Sequence, residues 1–203
     1  MDKKHMLKKP KQKRSRERVQ LILDATRSVL RQDGIKALST NSIAASANIP
    51  VSSIYQYFPD KEAVLIALYE DYLKEIRNIF EAIDTQENRE LPWREFVTLI
   101  LKELVAAETQ DNIDAELNTA LGLYPKLMEV DRCHEEWMVE RMTDSFMNAG
   151  SAWPRAKLKR LFHYLYANNA TFWSYRSRHN SPKKEAFEWY LVSSLAVVGQ
   201  CFE

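Results

Sequence analysis

The sequence predicts an all-α fold, and three observations lead to that prediction. Glycine and proline are scarce, at four and seven of 203 residues, which disfavours a turn-rich all-β protein. Apolar residues recur at helical spacing along nearly the whole chain, and no segment has a convincing strand pattern. The apolar content of 45% and the charged content of 28% are ordinary for a globular protein.

The first four predicted helices occupy the N-terminal two fifths of the chain. They span about residues 19–33, 40–47, 51–58 and 60–83. The first follows from apolar residues at i, i+3 and i+4 spacing and stops at Gly34. Ser39 or Thr40 can cap the second. Asn48 can adopt the left-handed conformation that a tight turn before the third helix needs.

Five more helices are predicted after the polar segment DTQENREL. They run from Pro92 to about Glu108, from about Ile113 to Leu123, from Pro125 to Ala149, from Pro154 to about Arg178, and from Pro182 to Cys201. Proline is favoured at the first position of a helix, which sets several of these starts. The total is nine predicted helices, without an internal repeat.

The first 20 residues are strongly basic. They hold nine Lys and Arg against two acidic residues, a net charge of +7, so the remainder carries −6 of the total of +1. A basic arm on an acidic body favours a polyanionic partner. The alternative from charge alone is a solvated, disordered tail.

The composition also bears on compartment and chemistry. Cys133 and Cys201 form neither a disulfide framework nor a metal motif, and a reducing compartment fits them. We see no apolar core of a signal peptide and no run of about 18 apolar residues that would span a membrane. No nucleophile–base arrangement, phosphate-binding glycine loop or paired carboxylates support catalysis. We therefore expect a cytoplasmic protein that is not an enzyme, with no cofactor and no membrane partner.

One cluster could suggest a metal site. The stretch EVDRCHEEWM brings together Asp131, Cys133, His134 and Glu135. On a helix the two carboxylates share a face, but Cys133 points elsewhere, and exposed charged faces often have this pattern. We expect no metal here, and we expect His163 to be structural.

The stretch IPVSSIYQYFPDK combines hydroxyl, amide and phenol groups. On a helix, Val51, Ile54 and Phe58 fall on one face, with Tyr55 at its edge. The opposite face then holds Ser52, Ser53, Gln56 and Tyr57. A small residue at 44, a turn residue at 48 and a buried aliphatic at 54 have the spacing of a helix-turn-helix. Its second helix would enter the major groove of DNA; the alternative is a helical hairpin with an incidental polar face.

Residues 17–66 resemble the TetR family of bacterial transcription regulators. The resemblance lies in the run ILDATRSVLRQDGIKALSTNSIAASANIPVSSIYQYFPDKEAVL, about a quarter of the chain. Two positions depart from the family pattern: Asn48 stands where glycine is usual, and Pro50 stands where a capping serine is usual. The resemblance implies a homodimer with a three-helix DNA-binding head, and a six-helix C-terminal domain for ligand binding and dimerisation.

The resemblance also implies roles for individual residues of the head. Thr40, Tyr55, Tyr57 and Lys61 would contact the phosphate backbone, and Ser52, Ser53 and Gln56 would face bases. The basic arm, including Lys13 and Arg14, could follow the backbone or the minor groove. We assign residues 1–16 to the arm, 17–62 to the DNA-binding domain and 63–203 to the effector-binding and dimerisation domain.

Two groups of residues are candidates for sites in the C-terminal domain. A lone amide, Asn169, lies on an apolar helix face, and either a neighbouring helix or a ligand must satisfy it. The predicted effector residues are Phe96, Leu99, Trp137, Arg141, Asn169, Phe172 and Trp173, of which Arg141 could instead be a surface residue. The last helix is apolar nearly all round, which favours a core on one side and a partner chain on the other. The predicted dimer residues are Tyr164, Asn168, Tyr175, Trp189, Ser193, Ala196 and Val197.

The sequence thus favours a regulator, most simply a repressor, that binds a palindromic operator in double-stranded DNA. A small-molecule effector with aromatic or aliphatic bulk would release it. One alternative is a regulator without a ligand, its core filled by side chains. Another is an all-α carrier or enzyme with a vestigial head.

Overall fold

The computed structural model describes residues 6–7, 13–110, 114–179 and 183–202. Helices α1 to α4 span Lys13–Asp33, Thr40–Ser46, Val51–Tyr55 and Lys61–Ile83, with a 3₁₀ turn at Ile35–Ala37. Helices α5 to α7 span Gln86–Arg89, Trp93–Gln110 and Asp114–Leu123. Helices α8 to α10 span Pro125–Asn148, Arg155–Arg178 and Lys183–Gly199. The described segments contain no β-strand, so the all-α prediction is confirmed.

The chain divides into two compact units. Unit 1 comprises the chain up to Leu73 together with the segment that ends at Val130, and unit 2 comprises residues 74–110 and 131–203. Unit 1 therefore extends beyond the predicted DNA-binding segment 17–62. The reason is that the first part of α4 and helix α7 contribute to its core. The functional assignment of the three predicted segments remains a prediction.

The core of unit 1 is formed by apolar faces of α1 to α4. Helix α1 packs against α2. The fully buried side chains of this core include Ile22, Leu30, Ile43 and Ile54. Buried polar groups in this unit have partners. The Thr26 hydroxyl donates to the Ile22 carbonyl, and the Arg27 guanidinium lies 3.0 Å from the Asp71 carboxylate. Such pairing limits the cost of burying polar groups.

The turns around α2 follow from local chemistry. Ser39 caps α2 through a reciprocal pair of hydrogen bonds with Ser42, a capping box. Asn48 has φ 52°, so the predicted left-handed turn is confirmed. Gly34 ends α1 with φ 76°, the conformation that glycine adopts without a steric penalty. Pro50 precedes α3 and provides no side-chain cap.

The core of unit 2 is rich in aromatic side chains. Phe80, Phe96, Phe146 and Phe162 are buried together, and α10 packs against both α6 and α9. A smaller cluster contains Phe172, Trp173, Ala186 and Tyr190. At Gly199 an added Cβ would lie 2.8 Å from the Trp93 ring, so the close approach of α10 to this ring requires glycine.

The structure contains one short helix that the sequence pattern does not predict. Helix α5 lies within the segment predicted to be a polar break. The Thr85 side chain accepts a hydrogen bond from the Asn88 amide and caps this single turn. A four-residue helix is too short to leave a periodic apolar pattern, because it has no buried face of its own.

Candidate functional site

An exposed polar surface surrounds the short helix α3. Ile54 is fully buried and fixes one face of this helix to the core of unit 1. The other side presents Ser52 and Gln56, both exposed, and the half-exposed Tyr55 ring. The Tyr55 hydroxyl lies 3.1 Å from the Thr40 hydroxyl in the first turn of α2. We call Thr40, Ser52, Tyr55 and Gln56 the head surface.

Tyr57 does not belong to this surface. It is only 8% exposed and packs in the core of unit 1, whereas Tyr55 is 48% exposed. The predicted face assumed a helix continuing to Phe58, but α3 ends at Tyr55 with Gln56 as its C-cap. Because the chain turns after Tyr55, the spacing of 100° per residue no longer applies, and Tyr57 rotates inward.

The remaining predicted DNA contacts have varied surroundings. Ser53 is half-buried on α3. The Lys61 ammonium donates a hydrogen bond to the Leu38 carbonyl at 3.1 Å and is therefore directed toward the backbone of unit 1. Lys13 and Arg14 are exposed at the start of α1.

Part of the basic arm contacts unit 1. The Leu7 amide donates to the Tyr57 carbonyl at 2.8 Å, and the Met6 side chain is buried against the core of this unit. The predicted arm lysines at positions 3, 4, 8, 9 and 11 lie outside the described residues.

The segment that carries the head surface matches a known protein family. A model of bacterial regulatory proteins of the tetR family matches residues 22–68, which include α2, α3 and the turn between them. Over residues 22–68 this chain is therefore similar to TetR-family regulatory proteins. The match begins within α1 and ends within α4, so it covers the buried framework that positions the head surface.

Individual relatives extend the TetR-family resemblance beyond the head. The transcriptional repressor KstR of Rhodococcus jostii is 26% identical over 139 residues, which are 64% of this chain and 62% of KstR. This chain thus aligns with somewhat less than two thirds of that relative's length.

Solved structures share the fold of this chain. A TetR-family transcriptional regulator from Streptomyces coelicolor is 21% identical, with a TM-score of 0.62, covering 91% of this chain and 99% of the other. The multidrug binding protein EbrR, solved in complex with imidazole, is 20% identical with a TM-score of 0.63, covering 87% and 94% of the two chains. At this identity the likeness concerns the fold.

Unit 2 contains a cavity of about 100 Å³. Its wall is largely aliphatic and aromatic, and includes Ile100, Leu104, Met138, Val139 and Leu165. Its polar members are His134, Tyr166, Asn169, Tyr190 and Ser194. Of the seven predicted effector residues, the structure brings Asn169 to this cavity.

The structure places the other six predicted effector residues around the cavity rather than in its wall. Phe96 is fully buried in the aromatic core, and Leu99 packs at the edge of that core. Trp137 lies between the guanidinium groups of Arg77 and Arg141, at 5.2 and 5.9 Å from its ring centroid. Phe172 and Trp173 belong to the smaller cluster, where Phe172 stacks on Tyr190. Large rings fill space, so they form the core instead of the opening.

His134 is a neutral group in the cavity wall. Its Nδ1 accepts a hydrogen bond from Arg77 Nε at 3.0 Å. Burial, and to a smaller extent the neighbouring Arg77 charge, together lower the pKa of His134 to about 3. In the neutral ring, a hydrogen-bond acceptor at Nδ1 leaves the proton on Nε2. His134 can therefore donate a hydrogen bond from Nε2.

The neighbours of His134 in the sequence also have protein partners. Asp131 accepts a hydrogen bond from the Tyr166 hydroxyl at 2.8 Å. Glu135 lies 2.7 Å from His163 Nδ1, which joins α8 to α9. These carboxylates and His134 face three different partners. Among the described residues, no group of three or more potential metal ligands converges.

The predicted dimer residues lie partly on an exposed face of α9 and α10. Trp189 is 56% exposed, Tyr164 is similarly exposed, and Ser193 and Ala196 are also exposed. The Trp189 and Tyr175 ring centroids are 6.4 Å apart. Asn168 and Val197 are half-buried, and Val197 packs against the unit's own core.

None of the described helices has the length and apolar character needed to cross a membrane.

Proposed function

We propose that this protein is a homodimeric TetR-family transcriptional repressor that a small-molecule effector releases from DNA. The observation that carries the proposal is the head surface. A helix-turn-helix buries Ile54 and presents Ser52, Tyr55 and Gln56 on its exposed side. The cytoplasm is the proposed location, because the protein would act on the bacterial chromosome.

The chemistry of the head surface fits duplex DNA. The second helix of a helix-turn-helix lies in the major groove, where base edges are distinguishable. Gln56 can bond bidentately to adenine, and Ser52 can bond to several bases. The Thr40 and Tyr55 hydroxyls are 3.1 Å apart, so one donates to the other, and the second can donate to a phosphate oxygen. Lys13 and Arg14, which are exposed at the start of α1, add positive charge to the same unit.

A homodimer would bind an operator with two-fold symmetry. The exposed aromatic groups Tyr164 and Trp189 on α9 and α10 favour association, since exposed apolar surface often marks a protein interface. Two heads related by a two-fold axis would read half-sites about 34–36 Å apart, one turn of the double helix. A palindromic operator is the consequence.

The cavity of unit 2 supports effector control. Ligand sites are concave and mostly apolar with a few placed polar groups, as this cavity is. KstR is a repressor and EbrR a multidrug binding protein by name, which favours repression and ligand binding in this chain too. The effector would favour a conformation of the dimer in which the two heads no longer match successive major grooves.

Selection of genomic fragments by the purified full-length protein tests the proposal. We expect enriched fragments to share a two-fold symmetric sequence, and candidate effectors to lower their recovery. The control is the double variant Ser52→Glu and Gln56→Glu, which places carboxylates at the head surface and should enrich nothing. Fragments without a common sequence, or equal enrichment by the control, would contradict sequence-specific binding. Unchanged recovery with every effector would contradict release.

A further inference from the structure

The cavity wall of unit 2 contains a buried hydroxyl without a protein partner. Ser194 on α10 is 2% exposed, and its Oγ has no hydrogen-bond partner. A serine on a helix can donate to the carbonyl one turn back, as Ser193 does to the Tyr190 carbonyl at 3.0 Å. Ser194 does not make such a bond. A buried hydroxyl left unpaired is unfavourable, so an oxygen-bearing ligand in the cavity would gain a bond that the protein alone does not supply.

The electrostatics of the cavity select against ions. Among the described residues that line it, none carries a formal charge, because His134 is neutral at pH 7. A carboxylate or ammonium group entering this wall would lose its hydration without gaining a direct counter-charge. An uncharged ligand avoids that loss.

The polar groups of the wall have defined roles. His134 presents a donor at Nε2, because its Nδ1 accepts from Arg77. Tyr166 donates its hydroxyl hydrogen to Asp131 at 2.8 Å. Ser194 can donate or accept through Oγ. These groups suit one or two oxygen atoms on an otherwise apolar molecule.

The volume limits the size of the buried part of the ligand. A cavity of about 150 Å³ lined by aliphatic and aromatic side chains is known to bind benzene. The cavity of about 100 Å³ here therefore fits a group no larger than a single six-membered ring.

We infer that unit 2 binds an uncharged, mainly apolar small molecule through a hydrogen bond between one of its oxygen atoms and Ser194 Oγ. The identification of this molecule as the effector rests on the proposed function. The binding itself does not, because it concerns a cavity within unit 2 alone.

Phenol and toluene test the inference, since they have nearly the same shape and differ by a hydroxyl in place of a methyl group. Calorimetry on the full-length, DNA-free protein at pH 7 should give phenol an affinity about 5- to 10-fold higher, the effect of one hydrogen bond. Ser194→Ala should abolish this preference and leave toluene affinity within about twofold. Benzoate and benzylammonium should bind more weakly than toluene in both proteins.

Thr143→Val is the matched control. Thr143 is equally buried in unit 2, but its hydroxyl donates to the Val139 carbonyl at 2.7 Å. This variant should keep the preference for phenol. A merely structural role of Ser194 predicts an unchanged preference in Ser194→Ala, which would overturn the inference. Binding of neither phenol nor toluene up to their solubility limits, or benzoate binding as well as phenol, would also overturn it. Phenol binding through Ser194 without any effect on DNA affinity would support the inference and contradict effector release.

Discussion

Unit 1 and unit 2 treat their buried polar groups differently. In unit 1, Thr26 bonds to its own helix, Arg27 pairs with Asp71, and Ser39 and Ser42 cap each other. Among the described residues, the buried side-chain atoms without a partner are Arg141 Nε, Trp173 Nε1 and Ser194 Oγ, all in unit 2. A fully satisfied interior specifies one arrangement, and each unsatisfied buried group calls for an explanation. Of these three residues, Ser194 lines the cavity. This difference supports the proposed roles of unit 1 in DNA binding and of unit 2 in ligand binding.

The largest expected effect concerns pH and unit 2. The folded pKa of His134 is about 3, below its usual value of 6.5, so the unfolded chain binds a proton more readily between these values. Stability should therefore fall as pH decreases below 6.5, by about 1.4 kcal/mol per pH unit from this residue, until about pH 3. All five tryptophans lie in unit 2, so urea unfolding followed by their fluorescence reports on this unit.

His134→Asn is the control for that experiment. An amide oxygen can replace Nδ1 as the acceptor for Arg77 and does not titrate in this range. The variant should show a shallower loss of stability between pH 6.5 and 5. Equal slopes in the two proteins would mean that His134 is protonated without penalty in the folded state.

Trp189→Glu should affect the assembly of unit 2 rather than its core. In the proposed dimer it places an unpaired carboxylate in the interface, at a cost of about 3–5 kcal/mol. Sedimentation at micromolar concentration should show monomers, with weaker DNA binding. Trp189→Phe retains an aromatic ring and should remain dimeric. A dimeric Trp189→Glu protein would place the interface elsewhere.

Ile54→Ala tests whether the head surface depends on the core of unit 1. Removing this fully buried side chain should lower the free energy of unfolding by about 2–5 kcal/mol. Val192→Ala in unit 2 is a comparable truncation at a side chain that is 66% exposed, and should change monomer stability by less than about 0.5 kcal/mol. Circular dichroism with urea measures both. A similar loss of unfolding free energy in the two variants would show that Ile54 contributes no more to stability than an exposed side chain.

Gln56→Ala should have the smallest effect, confined to recognition. We expect discrimination between operator and random DNA to fall by about 1–3 kcal/mol, with unchanged stability. Gln86→Ala is the control, because Gln86 is also exposed but lies in unit 2, where it bonds to Glu90. Competition binding measures the discrimination. Full sequence preference in Gln56→Ala would show that this side chain does not read bases.

The two units also differ in how far the sequence predicts them. Helical periodicity located most helices, and the spacing of Ala44, Asn48 and Ile54 located the helix-turn-helix, because local turn chemistry is written in neighbouring residues. Tyr57 was misplaced because the sequence does not show that α3 ends at Tyr55.

The cavity of unit 2 was harder to predict. Periodicity shows which helix face is apolar, but not where side chains from several helices fail to fill the space between them. Large rings such as Phe96 and Phe172 were assigned to the site, yet they fill the core. Ser194 offered the same signal as Asn169, a lone polar group on an apolar face between Tyr190 and Val198. The structure was needed to show that the Ser194 hydroxyl is buried without a hydrogen-bond partner.

The brevity of α3 has a consequence for how DNA preference could change over time. A helix of five residues without a side-chain cap is unstable alone, so Ile54 and the turn at Asn48 impose its shape from the core. Ser52 and Gln56 contribute little to that imposition because they are exposed. In the proposed DNA complex, their replacement would therefore alter the DNA sequence that is recognised without unfolding the helix. Within this short segment, the proposed DNA specificity and the stability of the fold thus depend on different residues.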